Sequence, residues 1–367
     1  MNWQIYYLRV IRKEERGLFA LLFRFILRLL SFPFCWMVAA RNFAYDHGWL
    51  PIYTPPVPLV ISIGNLVAGG VGKTPVTLMI AEIFYPDFPL AILTRGYRSE
   101  AEKLSTPTLL CRAQGPIHPA SFAGDEPFLI AENLPKAIVI VGKNRCESSR
   151  LAAKMGAKLL LLDDGMQHRR VQRDQEVVVI DLNDPWGLNA FLPRGLLREG
   201  KNGLKRADLI IVNHAEDTKA LQKLKIEISK LTSAPIVGTS VDVIGVFDLE
   251  NRALDLKGCK VALFCGLAHP EYFVKTAETL GIERVKELFV SDHEGLSLEK
   301  LLAFSKKARH SQAKYLLCTE KDKVKLSSTT DELLPIAWVK MKLRIVEGKS
   351  HFDAFVAKGR EILKMQG

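Results

Sequence analysis

Between Leu59 and Ile83 lies the feature that most constrains how this chain folds. Leu59-Val60-Ile61-Ser62-Ile63 is a continuous apolar run, the pattern of a strand buried on both faces of a parallel sheet. Gly64-Asn65-Leu66-Val67-Ala68-Gly69-Gly70-Val71-Gly72-Lys73-Thr74-Pro75 follows. Apolar residues then recur at helical spacing through Val76, Leu78, Met79, Ile80 and Ile83. Strand, glycine turn, Gly-Lys-Thr and helix together form the context of a P-loop. Gly69, Gly70, Val71 and Gly72 let backbone N–H groups turn inward around a β-phosphate, and the helix N-terminus adds positive potential. Lys73 reaches the β- and γ-phosphates, and the Thr74 hydroxyl is placed for Mg²⁺. The first glycine of the strict pattern would fall at Val67; the Gly69-Gly70 pair can supply the permissive torsions instead.

A metal carboxylate is expected on a neighbouring strand. Lys158-Leu159-Leu160-Leu161-Leu162 reads as buried strand and ends in Asp163-Asp164-Gly165. Carboxylates at the carboxyl end of such a strand face a bound nucleotide, with Asp163 on Mg²⁺ directly or through water and Asp164 assisting. Paired aspartates at a strand end also occur as a plain turn; the P-loop upstream favours the metal. A GTPase would carry Asn-Lys-x-Asp at a strand end, but the candidate strand Leu209–Val212 ends in Asn213-His214. Guanine selection is therefore not supported. A membrane-recruited P-loop ATPase or GTPase switch is the alternative class to an enzyme that phosphorylates a small molecule.

The chain has 367 residues, enough for two domains, with 48% apolar and 25% charged residues, the balance of a globular protein. Its net charge of +11 points to anionic partners. No zinc-finger spacing, RNA-binding strand signature or basic heptad helix accompanies that charge, so nucleic acid is not expected as a partner. Six scattered cysteines, none in a C-x-x-C pair, read as reduced core residues.

From Leu18 to Ala40 the chain is almost wholly apolar, interrupted by Arg24 and Arg28 on one helical face. Two mid-segment arginines are costly in a spanning helix and well tolerated in one lying at the membrane interface. A helix packed on the protein's own core, and a signal peptide or span, are the competing readings. Pro33 is expected to kink or end the first helix.

Further short motifs occur in a fixed order: Gly64-Asn65-Leu66, Arg95-Gly96-Tyr97, Gly124-Asp125-Glu126-Pro127 and Asp163-Asp164-Gly165-Met166-Gln167-His168. Pro193-Arg194-Gly195-Leu196-Leu197-Arg198-Glu199, Asp292-His293 and Thr319-Glu320-Lys321-Asp322 follow. This series resembles the tetraacyldisaccharide 4′-kinases, which phosphorylate the lipid A precursor of Gram-negative bacteria, from the N-terminal helix to near residue 325. The resemblance implies a peripheral enzyme on the cytoplasmic face of the inner membrane, held by its N-terminal helix. It implies MgATP as phosphate donor and the 4′-hydroxyl of an acylated disaccharide 1-phosphate as acceptor. Asp125 would be the general base, paired with His293. A carboxylate alone is a weak base toward a sugar hydroxyl, and an imidazole bonded to it can orient it.

Cationic side chains in or beside the matched motifs suit the phosphates of ATP and of the lipid headgroup: Arg95, Arg145, Arg194 and Arg198. Tyr97 and His168 would line the substrate pocket, and Glu199 would join the metal shell. Arg169, Arg170 and Arg173 read as a solvated face.

The fold expected is α/β: a P-loop NTPase-type parallel-sheet domain and a smaller C-terminal α/β domain, preceded by a membrane-interface helix. The boundaries are 1–50 for the membrane helix, 51–235 for the P-loop domain, 236–258 for a β-ribbon linker and 259–367 for the second domain. Strands are expected at Val261–Cys265, Val285–Val290, Tyr315–Cys318 and Ile336–Met341, closed by a helix over Phe352–Leu363. A cleft between the domains would hold the reaction, its closure bringing His293 to Asp125. A monomer is expected.

Overall fold

A computed structural model describes residues 3–267, 269–290, 296–326 and 330–366. Thirteen strands join in one sheet. They are β1 (Leu59–Gly64), β2 (Leu90–Thr94), β3 (Thr108–Cys111), β4 (Ile138–Val141), β5 (Leu159–Asp163), β6 (Gln175–Asp181) and β7 (Leu209–Asn213). Then come β8 (Ile236–Asp248), β9 (Ala253–Leu254), β10 (Lys260–Cys265), β11 (Glu283–Phe289), β12 (Tyr315–Thr319) and β13 (Ile336–Glu347). The order is β11-β10-β12-β13-β8-β7-β6-β1-β5-β2-β4-β3, with β9 on β8. Strands β1, β5, β6 and β7 are buried along their whole length, as their unbroken apolar runs require when helices cover both faces.

Neighbouring strands are parallel except at β3–β4, β8–β9 and β8–β13. The β8–β13 pairing is what links the two halves of the sheet. β8 pairs with β7 only over Ile236–Gly238, and β13 pairs with β12 only over Ile336–Val339. Between those ends the two strands form a long antiparallel ribbon that reaches from Gly238 opposite Glu347 to Asp248 opposite Ala337. The ribbon expected over 236–258 thus forms chiefly with a strand about a hundred residues later, and the local pair β8–β9 is short. Alternation marks a strand but not its partner.

Each half has its own apolar core. One gathers residues of β1, β5, β6 and β7 with the helix Lys73–Phe84; the other gathers Phe264, Phe304, Leu316 and Trp338. The helix expected to close the second half belongs to the first. Phe352, Phe355 and Leu363 of Lys349–Gln366 join the P-loop core. Gln175 donates to the Phe355 carbonyl and Arg360 to that of Ile83, which fixes the helix there.

At the N-terminus, Trp3–Ile11 is followed by a single helix, Leu18–Asp46, that runs through Pro33 without ending. Proline removes one helix hydrogen bond, and 29 residues leave ample helix on either side to hold the course. By length and composition this helix could cross a membrane, and only 17% of its most apolar window is buried. Leu18, Phe19, Leu22, Phe25 and Trp36 are exposed, which sets aside a helix packed on its own core.

Candidate active site

β1 ends at Gly64 and the helix Lys73–Phe84 begins after Gly72, which adopts a left-handed conformation (φ 80°). A Cβ at Gly72 would stand 2.5 Å from the Asn213 side-chain nitrogen, so both torsion and space require glycine there. Val67, where the strict pattern has glycine, bridges Leu197 in antiparallel fashion, and Ala68 N–H donates to the Leu196 carbonyl at 2.7 Å. The loop Pro193–Glu199 is therefore the outer wall of the phosphate turn, and position 67 serves as a ladder residue. Asn65 ties the turn internally: its Nδ2 donates to the Val67 carbonyl at 2.6 Å, and its Oδ1 accepts from Lys73 Nζ at 3.3 Å.

β5 lies directly beside β1, with Asp163 opposite Ile63. Asp163 is buried and accepts from Thr77 and Thr94, each at 3.2 Å. Burial, together with the negative charges of Glu126 and Asp164, pushes its carboxyl up to about 6 against the opposing cations Lys73 and Arg145. Asp164 takes the reverse course. Burial opposes its ionisation, but Lys73 and a bidentate Arg198 outweigh it and hold the carboxyl well below the usual range. Arg198 donates to Asp164 at 2.8 and 3.0 Å and to Asn65 Oδ1; Lys73 stands 3.5 Å from Asp164. Two adjacent aspartates thus carry different charge tendencies. One is fixed as an anion by cations, and the other is a buried carboxyl that a cation would ionise.

Oxygen donors of this kind suit Mg²⁺. Asp163 and the Thr74 hydroxyl would hold the ion, which supplies charge neutralisation on transferring phosphates. Among the described residues no three His, Cys, Asp or Glu side chains converge into a metal cluster. Glu199 Oε1 accepts from Asn42 at 2.7 Å and from Arg206 at 2.6 Å. It fastens the apolar helix Leu18–Asp46 to the outer wall of the phosphate turn. Tyr7 makes a second fastening, its hydroxyl donating to the Pro193 carbonyl at 2.8 Å.

The remaining expected residues divide into buried supports and exposed arms. Arg145 is 2% exposed and donates to the carbonyls of Gly142 and Asp163, so it braces the strand end carrying the aspartates. Burial lowers it to about 10. His168 lines an open cavity of about 300 Å³ together with Lys143, Asn144, Arg145 and Arg170. Burial, then the Arg145 cation, brings its imidazole down to about 4. Arg95 pairs with Glu102 at 2.7 Å, and Tyr97 is exposed beneath the guanidinium groups of Arg95 and Arg98. Arg194 is exposed in the turn after Pro193.

Asp125 opens the helix Asp125–Asn133, whose N-cap Gly124 has φ 96°. The next residue, Glu126, acts electrostatically on Asp163, which puts this first turn on the carboxylate side of the site. Asp125 Oδ2 is 3.6 Å from Lys325 Nζ of the second half. His293 lies outside the described residues.

Two contributions were not foreseen. Asn213, at the strand end dismissed as a guanine reader, donates from Nδ2 to the carbonyls of Val71 (2.7 Å) and Gly72 (3.3 Å). Its Oδ1 accepts from Thr239 at 2.6 Å. The side chain is spent on the phosphate turn; its place at the tip of the strand flanking β1's neighbour was the available clue. Arg169 and Arg173, expected in solvent, are also structural. Arg169 donates to the Asn42 carbonyl and to Asp46 on the apolar helix, and Arg173 pairs with buried Glu176 at 2.9 Å. Arg170 alone of the three is exposed.

A model of the family described as Tetraacyldisaccharide-1-P 4'-kinase matches residues 23–359. The chain is 36% identical over 325 residues to the tetraacyldisaccharide 4'-kinase of Chlamydia pneumoniae, covering 86% of this chain and 85% of that one. With the enzyme of the same name from Anaeromyxobacter dehalogenans (strain 2CP-C) it shares 36% identity over 349 residues, covering 92% and 88%. Its structure is similar to the crystal structure of LpxK from Aquifex aeolicus in complex with ATP, at a TM-score of 0.73 and 26% identity. That likeness covers 92% of this chain and 99% of the other. With its phosphate turn, paired aspartates and apolar N-terminal helix, the chain belongs to the tetraacyldisaccharide-1-P 4'-kinase family.

Proposed function

We propose that this protein transfers the γ-phosphate of ATP to the 4′-hydroxyl of an acylated disaccharide 1-phosphate, the lipid A precursor, at the cytoplasmic face of the inner membrane. The observation that carries this reading is the fastening of the exposed apolar helices to the phosphate turn. Tyr7 holds Pro193 and Asn42 holds Glu199, and the loop between those two residues walls the P-loop. A phosphate site built against a membrane-seeking surface fits an acceptor whose reactive hydroxyl emerges from lipid.

In this reading the turn Gly69–Thr74 cradles the nucleotide phosphates, and Lys73 carries positive charge to the β- and γ-phosphates. Arg198 and Asp164 keep Lys73 and Asn65 in register. Asp125 accepts the proton of the 4′-hydroxyl as its oxygen bonds to the γ-phosphorus and ADP departs with the bridging oxygen. His293 orients Asp125. Arg95, Tyr97 and Arg194 present exposed groups to the headgroup, and Arg145 and His168 shape the cavity beside the aspartates. The two halves act as lobes hinged at the β8–β13 ribbon, and their approach excludes water from the transferring phosphate.

Labelled γ-phosphate from ATP, offered with purified acylated disaccharide 1-phosphate in detergent, tests the proposal. Label on the 4′ position is expected. Bound MgATP with label released only as inorganic phosphate would overturn it in favour of an ATPase switch.

A further inference from the structure

The motif Thr319-Glu320-Lys321-Asp322 was matched in sequence but has no part in the chemistry described so far. In the structure it opens a segment of alternating lysines that faces an acidic helix of the other half. Lys321 pairs with Glu126 at 3.1 Å and Lys323 with Glu132 at 2.9 Å. Lys325 stands 3.6 Å from Asp125 and 3.6 Å from Asp322. The first two pairs join partly exposed glutamates, and such pairs contribute little. The third differs in its carboxylates and support. Asp125 is 24% exposed against 43% for Glu126 and 34% for Glu132, and the second carboxylate, Asp322, is buried with both oxygens engaged. Asp322 Oδ1 accepts from Gly266 N–H at 2.8 Å and Oδ2 from the Thr319 hydroxyl at 2.6 Å.

A chain of fixed groups therefore runs from the ends of β10 and β12 to the first turn of Asp125–Asn133. Gly266 and Thr319 set Asp322, Asp322 sets Lys325, and Lys325 reaches Asp125. At 3.6 Å the ammonium acts on Asp125 as a nearby charge, since that separation exceeds a good hydrogen bond. A positive charge so placed restricts where the carboxylate can point. The contact engages Oδ2 of Asp125.

We propose that Lys325 is a positioning residue for the general base, supplied across the cleft by the C-terminal half. The proposal rests on the reading of Asp125 as the base.

The test compares Lys325→Met, Lys325→Arg and Lys323→Met with the native chain, each also in an Asp125→Asn background, using ATP and the acylated disaccharide in detergent. Lys325→Met is expected to lower kcat roughly 10- to 100-fold with the KM for ATP unchanged. Lys325→Arg should keep kcat within about fivefold of native, because it restores the charge. Lys323→Met, which removes a docking pair of the same interface, should stay within about twofold. In the Asp125→Asn background, Lys325→Met should cost no more than about twofold, since its partner is already lost. Native kcat in Lys325→Met, or an equal loss in both backgrounds, would overturn the positioning role. A raised lipid KM with kcat intact would also overturn it and assign Lys325 to substrate phosphate. Native turnover in Asp125→Asn alone would instead remove the base reading on which the proposal rests.

Discussion

The two halves of the sheet are built from the same kind of buried parallel strand, yet they differ in what stands at the strand ends. In the first half the phosphate turn begins where β1 ends at Gly64, Asp164 just beyond β5 pairs with Lys73, and Asn213 at the end of β7 donates to Val71 and Gly72. Val67, Ala68, Val71, Gly72 and Lys73 of that turn are each held by partners from within the same half. In the second half β10 and β12 end at Cys265 and Thr319, and their tips hold Asp322, which sets Lys325 against Asp125. One half can hold a nucleotide's phosphates by itself; the other acts only by reaching over. Substitutions in the phosphate turn should therefore damage donor binding, and substitutions at Asp125 or at Lys325, which reaches it, should damage transfer.

The largest expected break in that comparison is Lys73→Ala. It removes the cation that the P-loop reading assigns to the β- and γ-phosphates and should lower kcat/KM for ATP roughly a thousandfold or more. A loss below tenfold in steady-state kinetics would mean that the turn is not the phosphate site. Asn213→Ala sharpens the comparison. It strips bonds to Val71 and Gly72 and removes the nearer of the Thr239 hydroxyl's two acceptors, so about 1–3 kcal/mol of stability should go. Nucleotide affinity, measured by calorimetry, should weaken about tenfold through the loosened turn. An unchanged affinity would show that the turn keeps its shape without this brace.

The smallest effect concerns pH. Burial holds the folded-state His168 near 4, below the 6.5 of an exposed imidazole, so the unfolded chain binds the proton more readily between those values. His168 therefore favours the folded state fully above about 6.5 and withdraws that support as pH falls toward 4. His168→Gln should flatten the decline in Tm between pH 6.5 and 4 by a few degrees at most. An unaltered pH profile would indicate that the ring is solvated in the cavity.

Much of the first half was legible because its information is local. An apolar run, a glycine turn and Gly-Lys-Thr specify strand, loop and helix without reference to distant residues. The run before Asp163 likewise specified a buried strand, and topology then placed it beside β1. What escaped the sequence was partnership at long range. Alternation over Val237–Leu254 showed a strand but not its pairing with β13. The apolar stripe Phe352–Leu363 showed an amphipathic helix but not that it returns to the first core. Glu199 closes a matched motif, and the sequence did not show that its Oε1 bonds Asn42, 157 positions away on the apolar helix. Arg169 looked like surface charge for the same reason, since its partners Asn42 and Asp46 lie on the apolar helix; Arg173 pairs locally with Glu176, whose burial the charge run did not mark.

The central claim is that donor binding and acceptor activation reside in different parts of the site, joined over one phosphate. The most direct measurement pairs MgATP binding with γ-phosphate transfer to the acylated disaccharide for the native protein and Asp125→Ala. The account predicts that Asp125→Ala binds MgATP within about threefold of native and loses transfer by roughly a hundredfold or more. Equal loss of binding and transfer, or transfer that survives the substitution, would contradict it.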